Sequence, residues 1–361
     1  MPRILTVVGA RPQFIKAAPL SSALTEAGLT EILVHTGQHF DAMMSDVFFD
    51  ELGISKPAYN LEINSLGHGA MTGRMLEKLE GTIVAEKPDI VLIYGDTNST
   101  MAGALAAVKL HVPVAHIESG LRSFNRRMPE EINRIVADQC SDILFTPTDL
   151  ATNNLKQEGI PAERIVQVGD VMYDVAIHFS QRAEQKHGAE LPFGVQKENF
   201  ILATVHRQEN TDHPKRLKAI FEGLQAVAKD IQIVLPLHPR TRGRIEEAGL
   251  QTLLQNLIIT KPLGYLDIVA LERHAAAIAT DSGGMQKEAF FHRVPCITLR
   301  DETEWMELVD MGWNRLAPPT SAENVAKAIR SAIGTTGTDE FPYGSGDSAK
   351  KITQTLTSFL S

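Results

Sequence analysis

Three acids follow strand-like runs in the first half of the chain. Asp96 comes directly after the apolar run 90–95, and Glu118 follows the run 112–117. Glu130 lies shortly afterwards, where a proline and two acids predict the start of a helix. Ligands of a parallel α/β sheet bind outside the carboxyl ends of its strands. We therefore expect these carboxylates to face a ligand and to give and take protons.

The second half of the chain carries a turn suited to phosphate. The run 275–280 ends in Asp281-Ser282-Gly283-Gly284, which we predict to open a helix. Bare backbone N–H groups at two glycines and a helix N-terminus suit a diphosphate. Glu288, one turn into that helix, is placed to accept hydrogen bonds from ribose hydroxyls. Acids in one half and a phosphate cradle in the other predict a cleft for proton chemistry on a nucleotide-linked substrate.

Cationic side chains accompany both features. Arg11 and Lys16 follow the first strand, with Pro12 suited to the first helical position. Arg11 is placed for a two-pronged contact with phosphate at that helix N-terminus, although both cations could simply coat the surface. His206 and Arg207 close a strand in the second half. A lone histidine is more often structural, but this one follows a strand and has a cation beside it.

Each acid also has a structural interpretation. Asp96 precedes a cluster of hydroxyl and amide residues and could cap the following helix. Glu118 lies just past a buried strand, where a glutamate is rarely present for packing, so a functional role is favoured. Arg122 is a candidate counter-charge for it. Glu131 suits the helix dipole. Glu130 has Arg134 four residues on, so the two could form an ordinary solvated ion pair.

The composition limits the class of protein. A chain of 361 residues predicts two domains. Its net charge of −9 argues against general binding to nucleic acid or anionic membranes, whereas arginines gathered near strand ends indicate an anionic small molecule. No apolar stretch approaches the roughly 20 residues that span a bilayer, and the two cysteines are expected to be free thiols. We expect a soluble, cytoplasmic protein.

Short β-branched runs alternate with amphipathic stretches, which is typical of parallel sheets covered on both faces. A polar segment at 180–198 places the domain boundary near 170–200. There is no G-x-G-x-x-G after the first strand, no Walker lysine loop and no metal-ligand spacing, so neither a nicotinamide cofactor nor a metal is implied. The predicted strands are 3–9, 31–36, 90–94, 112–117, 143–146 and 165–168, then 200–205, 232–237, 257–260, 276–280 and 295–299.

Taken in order, the motifs resemble those of the non-hydrolysing UDP-N-acetylglucosamine 2-epimerases over the whole chain. The resemblance implies two Rossmann-like domains with a central cleft, the glycosyltransferase-B architecture, at 1–175 and 176–345. It also implies a C-terminal helix at 346–361 that packs back on the first domain, and a homodimer. The matching motifs are G-x-R-P-x-x-I-K from Gly9, Thr36–His39, Gly95–Thr97, Glu118–Arg122, Pro129–Arg134, His206-Arg207, Asp281–Gly284, Arg300-Asp301 and Pro342–Gly344.

The resemblance also implies a reaction and residue roles. The C2 proton of the sugar is removed and UDP leaves by anti elimination, giving a 2-acetamidoglucal to which UDP adds back by syn addition. Asp96, Glu118 and Glu130 match the family's acid/base carboxylates. Lys16 and His206 are expected to join them as catalytic residues, Lys16 as the match to an active-site lysine and His206 by stabilising the developing pyrophosphate charge. The residues expected to bind the substrate are Arg11, Arg134, Ser282, Gly283, Gly284 and Glu288. Positions that bind a second UDP-sugar as activator in some members match Gln38, Arg74, Arg207 and His238.

Two departures from the family pattern point to a subgroup. Gln13-Phe14 replaces Glu-Ala in the opening motif, and Trp305 stands where the family has an active-site arginine. This pattern resembles enzymes acting on UDP-2,3-diacetamido-2,3-dideoxy-glucuronate, an intermediate of bacterial surface polysaccharides such as lipopolysaccharide. Loss of the glutamate at position 13 is expected to remove a repulsive charge beside an anionic sugar.

Three other functions remain open on the sequence. A glycosyltransferase of the same architecture would also hold a UDP-sugar, although an inverting transferase usually needs one base rather than three acids. A hydrolysing epimerase would release the free sugar. A non-catalytic UDP-sugar sensor would bind the ligand without exchanging its C2 hydrogen.

Overall fold

Two compact units make up the chain. The computed structural model describes residues 1–38, 49, 53–188 and 190–361. Unit 1 comprises Met1–Val175 and Phe341–Ser361, and unit 2 comprises Ala176–Glu340. The boundary falls inside a helix, Val171–His187. His39, the last residue of the motif that begins at Thr36, lies outside the described residues.

Unit 1 is built on a seven-stranded parallel sheet in the order β3-β2-β1-β4-β5-β6-β7. β1 pairs with both β2 and β4, so the chain changes its direction of growth at β1. β4 is buried at every position, as expected for a strand covered on both faces. The strands are β1 Arg3–Val8, β2 Thr30–His35, β3 Tyr59–Asn60, β4 Ile90–Tyr94, β5 Val114–Ile117, β6 Ile143–Thr146 and β7 Ile165–Gln167.

Helices cover the sheet of unit 1 and bury its aliphatic core. Leu5 and Val91 from the sheet pack in one cluster with Met75 and Leu79. The first helix begins at Arg11, so Pro12 takes its second position rather than its first. The helices are α1 Arg11–Glu26, α2 His68–Glu86, α3 Asn98–Lys109, α4 Pro129–Cys140, α5 Asp149–Gln157 and the start of α6 Val171–His187, most of which lies in unit 2, with a 3-10 turn at Ala162–Arg164.

The sheet of unit 2 has six parallel strands in the order β10-β9-β8-β11-β12-β13. Counted within the unit this is 3-2-1-4-5-6, the Rossmann order. The strands are β8 Phe200–Thr204, β9 Gln232–Pro236, β10 Ile258–Thr260, β11 Ala277–Thr280, β12 Cys296–Thr298 and β13 Asn314–Leu316. The helices are α7 Gln208–Thr211, α8 Pro214–Val227, α9 Pro239–Glu247, α10 Tyr265–His274, α11 Gly283–Phe291, α12 Met306–Asp310 and α13 Ala322–Ala332, with 3-10 turns at Pro192–Gly194 and Gln251–Leu254.

The last helix, α14 (Ser348–Phe359), belongs to unit 1 and packs against α1. The carboxylate of Asp174 accepts hydrogen bonds from the backbone N–H groups of Ser348 and Ala349, which satisfies two of the donors left open at the helix start. Ile352 and Leu356 are buried, but Phe359 is 48% exposed. The buried apolar face of α14 therefore ends before Phe359.

The prediction of two Rossmann-like parallel-sheet domains is confirmed. All eleven predicted strands are present, with ends that differ by two residues or fewer. Two edge strands were missed, Tyr59–Asn60 and Asn314–Leu316, because two or three residues are too short to show a period. None of the helices in the described ranges is both long and apolar enough to cross a membrane.

Candidate active site

The predicted functional residues lie at the carboxyl ends of strands on both sides of each sheet's switch point. In unit 1, α1 with Arg11 follows β1, and Asp96 follows the adjacent β4. In unit 2, His206 follows β8, and Ser282 follows the adjacent β11. Ligands of open α/β sheets bind where the strand order reverses. Each unit therefore presents its chemistry-bearing residues at the edge that its topology favours for binding.

Asp96 is fixed by two neighbouring residues of α4. Its carboxylate lies 2.5 Å from the guanidinium of Arg134, and its backbone carbonyl accepts a hydrogen bond of 2.9 Å from the Asn133 amide. The cap of α3 is Thr97, whose hydroxyl accepts from the N–H of Thr100, so Asp96 is not the capping residue. The Asp96 side chain is 33% exposed, and its free edge is available to a ligand.

Glu118 is buried and paired with Lys16. The Lys16 ammonium lies 2.6 Å from a Glu118 carboxylate oxygen. Burial alone would lower the pKa of Lys16, but attraction to Glu118, with smaller contributions from Asp170 and Asp96, raises it overall. Lys16 is therefore a fixed cation rather than a base. Glu118 also has a backbone φ of +65°, a sparsely populated region for a residue other than glycine.

The expected pairing of Glu118 with Arg122 is wrong. Arg122 instead contacts Asp138 at 2.7 Å and Glu158 at 2.6 Å, and its side chain is only 1% exposed. The turn after β5 bends at Gly120, whose φ is +78° and where a Cβ would lie 2.3 Å from the carbonyl oxygen of Ala151. That turn directs Arg122 away from Glu118 and into the polar cluster around α4.

Glu130 and Glu131 have different environments. Glu131 is buried and accepts hydrogen bonds from the N–H groups of Ser123 and Phe124 and from Arg134. Burial would raise the pKa of Glu131, but these hydrogen bonds lower it overall. Glu130 is exposed, and Arg134 pairs with Asp96 and Glu131 instead. The expected Glu130–Arg134 ion pair is therefore absent, and Glu131 organises the loop 123–128 rather than merely complementing the helix dipole.

Gln13 braces the two strand ends of unit 1. Its amide oxygen accepts from the N–H groups of Gly9 and Ala10 at 2.7 and 3.2 Å. Its amide nitrogen donates to the carbonyl oxygen of Tyr94 at 2.7 Å. The residue is 4% exposed, so the expectation that it borders the sugar is wrong. Gln13 ties the turn after β1 to the end of β4, and an effect on substrate charge through this side chain is not supported.

His116 and Asp138 are two buried polar residues that sequence reasoning missed. Asp138 Oδ1 lies 2.7 Å from His116 Nδ1, and both side chains are completely buried. A histidine inside the strand 114–117, two residues before Glu118, was a usable signal because an unpaired buried polar group is costly. The contact of His116 with a helix residue 22 positions later has no local sequence signature.

In unit 2, Asp281 is a brace and not part of the phosphate cradle. It is completely buried and accepts hydrogen bonds from the backbone N–H groups of His206 and Arg207 and from the Asn210 amide. These contacts join the turn after β8 to the turn after β11. The prediction that residues 281–284 form one ligand-facing turn is wrong for Asp281, whose carboxylate faces inward.

The cradle itself is the N-terminus of α11. The hydroxyl of Ser282 caps the helix by accepting from the N–H of Met285 at 3.4 Å. The first N–H groups of a helix have no partner inside it, which includes those of Gly283 and Gly284. A guanidinium nitrogen of Arg207 lies 3.5 Å from the position that a Cβ of Gly283 would take. Backbone donors and a cation are thus brought together at this end of unit 2.

His206 is 45% exposed, and its Nδ1 lies 3.4 Å from an Asp281 oxygen. Desolvation lowers the pKa of His206, and although Asp281 opposes this, Arg207 and His238 add to it, so the pKa lies below its ordinary value. The free protein therefore holds His206 neutral at pH 7. A neutral imidazole can donate one hydrogen bond to a phosphate oxygen without the desolvation cost of a second fixed charge.

Trp305 contacts the glycine turn at the start of α11. Its indole N–H donates to the carbonyl oxygen of Gly283 at 2.9 Å, and the Lys287 ammonium lies 4.5 Å from its ring centroid. A cation over an aromatic face is stabilised by the ring quadrupole. The neighbouring Glu304 forms a two-pronged pair with Arg300. Trp305 is thus a structural support of the glycine turn.

Glu288 belongs to a carboxylate pair. The hydroxyl of Tyr265 donates to Glu288 at 3.4 Å. Glu272, on α10, is completely buried, and neither of its oxygens has a hydrogen-bond partner within the described residues. Burial raises the pKa of Glu272 well above its ordinary value, and the nearby Glu288 raises it further. Burial also lowers the pKa of His292, 3.8 Å from Glu272, to about 4. Burial thus favours the uncharged form of both groups.

The residues matched to an activator site are distributed over both units. Gln38 accepts hydrogen bonds from the N–H and hydroxyl of Ser99, and Arg74 is exposed on α2. His238 caps α9 by accepting from the N–H of Arg240. Among the described residues, no group of three or more histidines, cysteines and acids is arranged to hold a metal ion.

Fold and site define an α/β protein with two Rossmann-like units, one rich in carboxylates and one with a diphosphate-type cradle. The family model for UDP-N-acetylglucosamine 2-epimerase matches residues 22–357. A relative in Pseudomonas aeruginosa, UDP-2,3-diacetamido-2,3-dideoxy-D-glucuronate 2-epimerase, is 54% identical, with 98% of this chain and 99% of the relative covered. The chain therefore belongs to the UDP-N-acetylglucosamine 2-epimerase family, whose members are isomerases.

Solved structures agree with this membership. UDP-GlcNAc 2-epimerase from Methanocaldococcus jannaschii superposes with a TM-score of 0.89 at 40% identity, with 99% of each chain covered. UDP-GlcNAc 2-epimerase from Neisseria meningitidis, solved bound to UDP-GlcNAc, superposes with a TM-score of 0.84 at 32% identity, with 99% of this chain and all of the other covered.

Replacing Gln13 by Glu is expected to destabilise the protein. The new carboxylate would face the Tyr94 carbonyl, so a donor is lost and two acceptors meet in a buried site. We expect a loss of about 1–3 kcal/mol in the free energy of unfolding, measured by urea denaturation. Glu26→Gln, an exposed change on the same helix, is the control and should stay within about 0.5 kcal/mol. An unchanged midpoint for Gln13→Glu would contradict the bracing role.

Replacing Glu272 by Gln is expected to stabilise unit 2 increasingly as pH rises. Above pH 4.5 the unfolded chain ionises Glu272 while the folded protein keeps the proton, so the native chain loses stability as pH rises and the variant does not. Each unit of pKa displacement corresponds to about 1.4 kcal/mol. Both tryptophans, Trp305 and Trp313, lie in unit 2, so their fluorescence follows its unfolding in urea.

The comparison is made at pH 5 and pH 8, with the exposed Glu323→Gln as the control for loss of one carboxylate. The stability difference between Glu272→Gln and the native chain should be more favourable to the variant at pH 8. A difference that is equal at the two pH values would show that Glu272 is not held protonated.

Proposed function

We propose that this protein epimerises C2 of a UDP-linked 2-acetamido sugar by eliminating and re-adding UDP. The observation that carries the proposal is the pair of carboxylates at adjacent strand ends, Asp96 after β4 and Glu118 after β5, each fixed against a cation. Family membership over nearly the whole chain supports the reaction class. UDP-GlcNAc bound to the Neisseria relative supports the ligand class.

The reaction needs acids and bases on both faces of the sugar. A C2–H beside an acetal carbon is a very weak acid, so its removal must be coupled to departure of UDP from C1. Re-addition of UDP to C1 then requires a second carboxyl group that delivers a proton to C2 on the face opposite to the one from which the first proton was taken. Asp96, Glu118 and Glu130 are proposed to share these transfers, because positioned carboxylates are efficient general acids and bases.

Charge developing on the departing diphosphate is proposed to be stabilised by cations and backbone donors. In unit 1 these are Arg11, Lys16 and Arg134. In unit 2 they are His206, Ser282, Gly283 and Gly284, with Glu288 accepting from the ribose hydroxyls. Donors fixed before the reaction stabilise developing charge without reorganising. No metal or organic cofactor enters this scheme, because the protons move between side chains and substrate and the leaving group is already activated.

The preferred sugar is proposed to be the 2,3-diacetamido-2,3-dideoxy-glucuronate rather than N-acetylglucosamine. The support is the 54% identity to the Pseudomonas aeruginosa relative that bears this name and Trp305 in place of the family arginine. Such a product would serve the synthesis of bacterial surface polysaccharide, including lipopolysaccharide. We further propose a cytoplasmic homodimer, with a second UDP-sugar bound by Gln38, Arg74, Arg207 and His238 as activator. Light scattering of the purified protein tests the dimer, and a monomer would exclude it.

Two other functions are separable by experiment. A glycosyltransferase would consume UDP-sugar only when an acceptor is added, and a non-catalytic sensor would bind UDP-GlcNAc without exchanging its C2 hydrogen. The number of acids at the proposed site favours the epimerase, because a protein that only binds a UDP-sugar needs none of these carboxylates. Product analysis without any acceptor distinguishes all three.

Replacing the proposed acids should stop the reaction. Asp96→Asn, Glu118→Gln and Glu130→Gln are each expected to lower turnover by about 10²–10⁴-fold, the usual contribution of a general acid or base. UDP affinity, measured by calorimetry, should change only a few-fold. Glu130→Gln is the sharpest of the three, because this exposed side chain has no ion pair in the described structure whose loss would also destabilise the protein.

The matched control for Glu130→Gln is Asp149→Asn. Asp149 is also an exposed acid in the first turn of a helix that follows a strand of the same sheet. This variant should keep the native rate. Near-normal turnover in two of the three acid variants would overturn the acid/base assignment.

The substrate proposal is tested with four UDP-sugars that vary two substituents independently. These are UDP-GlcNAc, its 3-acetamido derivative, its C6 uronate and the diacetamido uronate. We expect the highest kcat/KM for the diacetamido uronate, with each substituent contributing about 10-fold or more, since a paired carboxylate or a satisfied amide is worth 1–3 kcal/mol. Rapid turnover of UDP-GlcNAc with no reaction of the uronate would assign the protein the main family activity instead.

A further inference from the structure

His116 lies in the third position of β5 and is completely buried. Each of its ring nitrogens faces an oxygen. Nδ1 lies 2.7 Å from Asp138 Oδ1, and Nε2 lies 2.8 Å from the carbonyl oxygen of Gly95. Both distances are those of good hydrogen bonds. The histidine therefore spans from α4 to the end of the neighbouring strand β4.

The two partners determine how many protons the ring carries. A carbonyl oxygen only accepts, so Nε2 must bear a hydrogen. Asp138 Oδ2 already accepts from the Gly120 N–H at 3.1 Å and lies 2.7 Å from the Arg122 guanidinium. An aspartate with these donors is a carboxylate, which likewise only accepts. Nδ1 must then also bear a hydrogen, and the ring is an imidazolium.

Charge in this cluster is balanced. His116, Arg122 and Asp138 have buried side chains, and Glu158, whose side chain is 29% exposed, supplies the second carboxylate by accepting two hydrogen bonds from Arg122. Buried charges persist in proteins when they are paired and hydrogen-bonded in this way. A neutral histidine would leave one acceptor unsatisfied and the cluster one charge short.

The imidazolium holds the backbone of both acid-bearing turns. Gly95, whose carbonyl it binds, has a φ of +62° and immediately precedes Asp96. Through Asp138 it is joined to the N–H of Gly120, two residues after Glu118. Neither turn can shift relative to the other without breaking a buried hydrogen bond. The ring thus adds a second connection between the turns that carry Asp96 and Glu118, beside the hydrogen bond of 3.0 Å from the Gly95 N–H to the Ile117 carbonyl oxygen.

We infer that His116 is a doubly protonated positioning residue that helps to set the separation of Asp96 and Glu118. Its effect on turnover rests on the proposed epimerase function, whereas its protonation does not. Displacing a reacting group by about 1 Å costs on the order of 10²-fold in rate. Loss of this positioning should therefore lower kcat and leave ligand binding in unit 2 unchanged.

The protonation is measured on the intact protein labelled with ¹⁵N-histidine. Nitrogen NMR distinguishes a ring with two N–H groups from a neutral ring with one bare nitrogen. At pH 7.5 we expect His116 to show two N–H groups. His292, whose burial lowers its pKa to about 4, is the internal reference for a neutral buried ring. His116→Gln and His292→Gln assign the two signals.

Two variants then test the positioning. Asp138→Asn keeps the shape of the partner but removes its charge, so the His116 ring should become neutral. Both Asp138→Asn and His116→Gln should lower kcat by about 10- to 100-fold with KM and UDP affinity within about 3-fold. Should His116→Gln fail to fold, the change of the ring signal in Asp138→Asn assigns the resonance and tests the protonation.

The outcomes separate this inference from the proposed function. A neutral His116 ring at pH 7.5, or native kcat in a folded His116→Gln protein, would overturn the inference even if the enzyme is an epimerase. A doubly protonated ring in a protein with no C2 exchange would support the assignment of the ring and reject the proposed reaction.

Discussion

Burial of the polar face of α4 is the constraint on which the carboxylate site depends. Asn133 binds the backbone of Asp96, Arg134 binds its side chain, and Asp138 reaches both strand-end turns through His116 and the Gly120 N–H. Removing one partner of a buried ion pair costs about 3–5 kcal/mol. Helix α4 and the turns after β4 and β5 are therefore linked, because a shift of either turn would leave a buried charge without its partner.

In unit 2 a single buried acid, Asp281, positions the strand-end turns. Asp281 accepts hydrogen bonds from the backbone N–H groups of the turn after β8 rather than from those at the start of α11. Trp305 holds the opposite side of the glycine turn through its bond to Gly283. In both units a buried carboxylate accepts from a strand-end turn. The residues proposed to meet the substrate are thus positioned by groups that do not.

The sequence predicted the architecture and the strands because these follow from periodicity and from the acids and glycines at strand ends. The sequence did not predict which side chains form ion pairs and hydrogen bonds with each other. Arg122 was matched to Glu118 because the two are close in sequence, yet a turn at Gly120 carries Arg122 to Asp138. Gln13 was assigned to the sugar because it lies in a motif, whereas its amide fills a gap between two strand ends. These pairings depend on how the strands are ordered in space, which no short stretch of sequence records.

We propose that one reaction both removes the C2 proton and breaks the C1–oxygen bond. This proposal is tested most directly with a UDP-sugar that carries ¹⁸O in the bridge between C1 and the β-phosphorus, incubated with the native protein in D₂O. NMR then reads deuterium at C2 and the position of ¹⁸O on the phosphate together. We expect deuterium at C2 and movement of ¹⁸O from the bridging to the non-bridging positions, because UDP leaves and returns. Deuterium at C2 with the ¹⁸O still entirely in the bridge would contradict elimination and indicate that the proton is exchanged without departure of UDP.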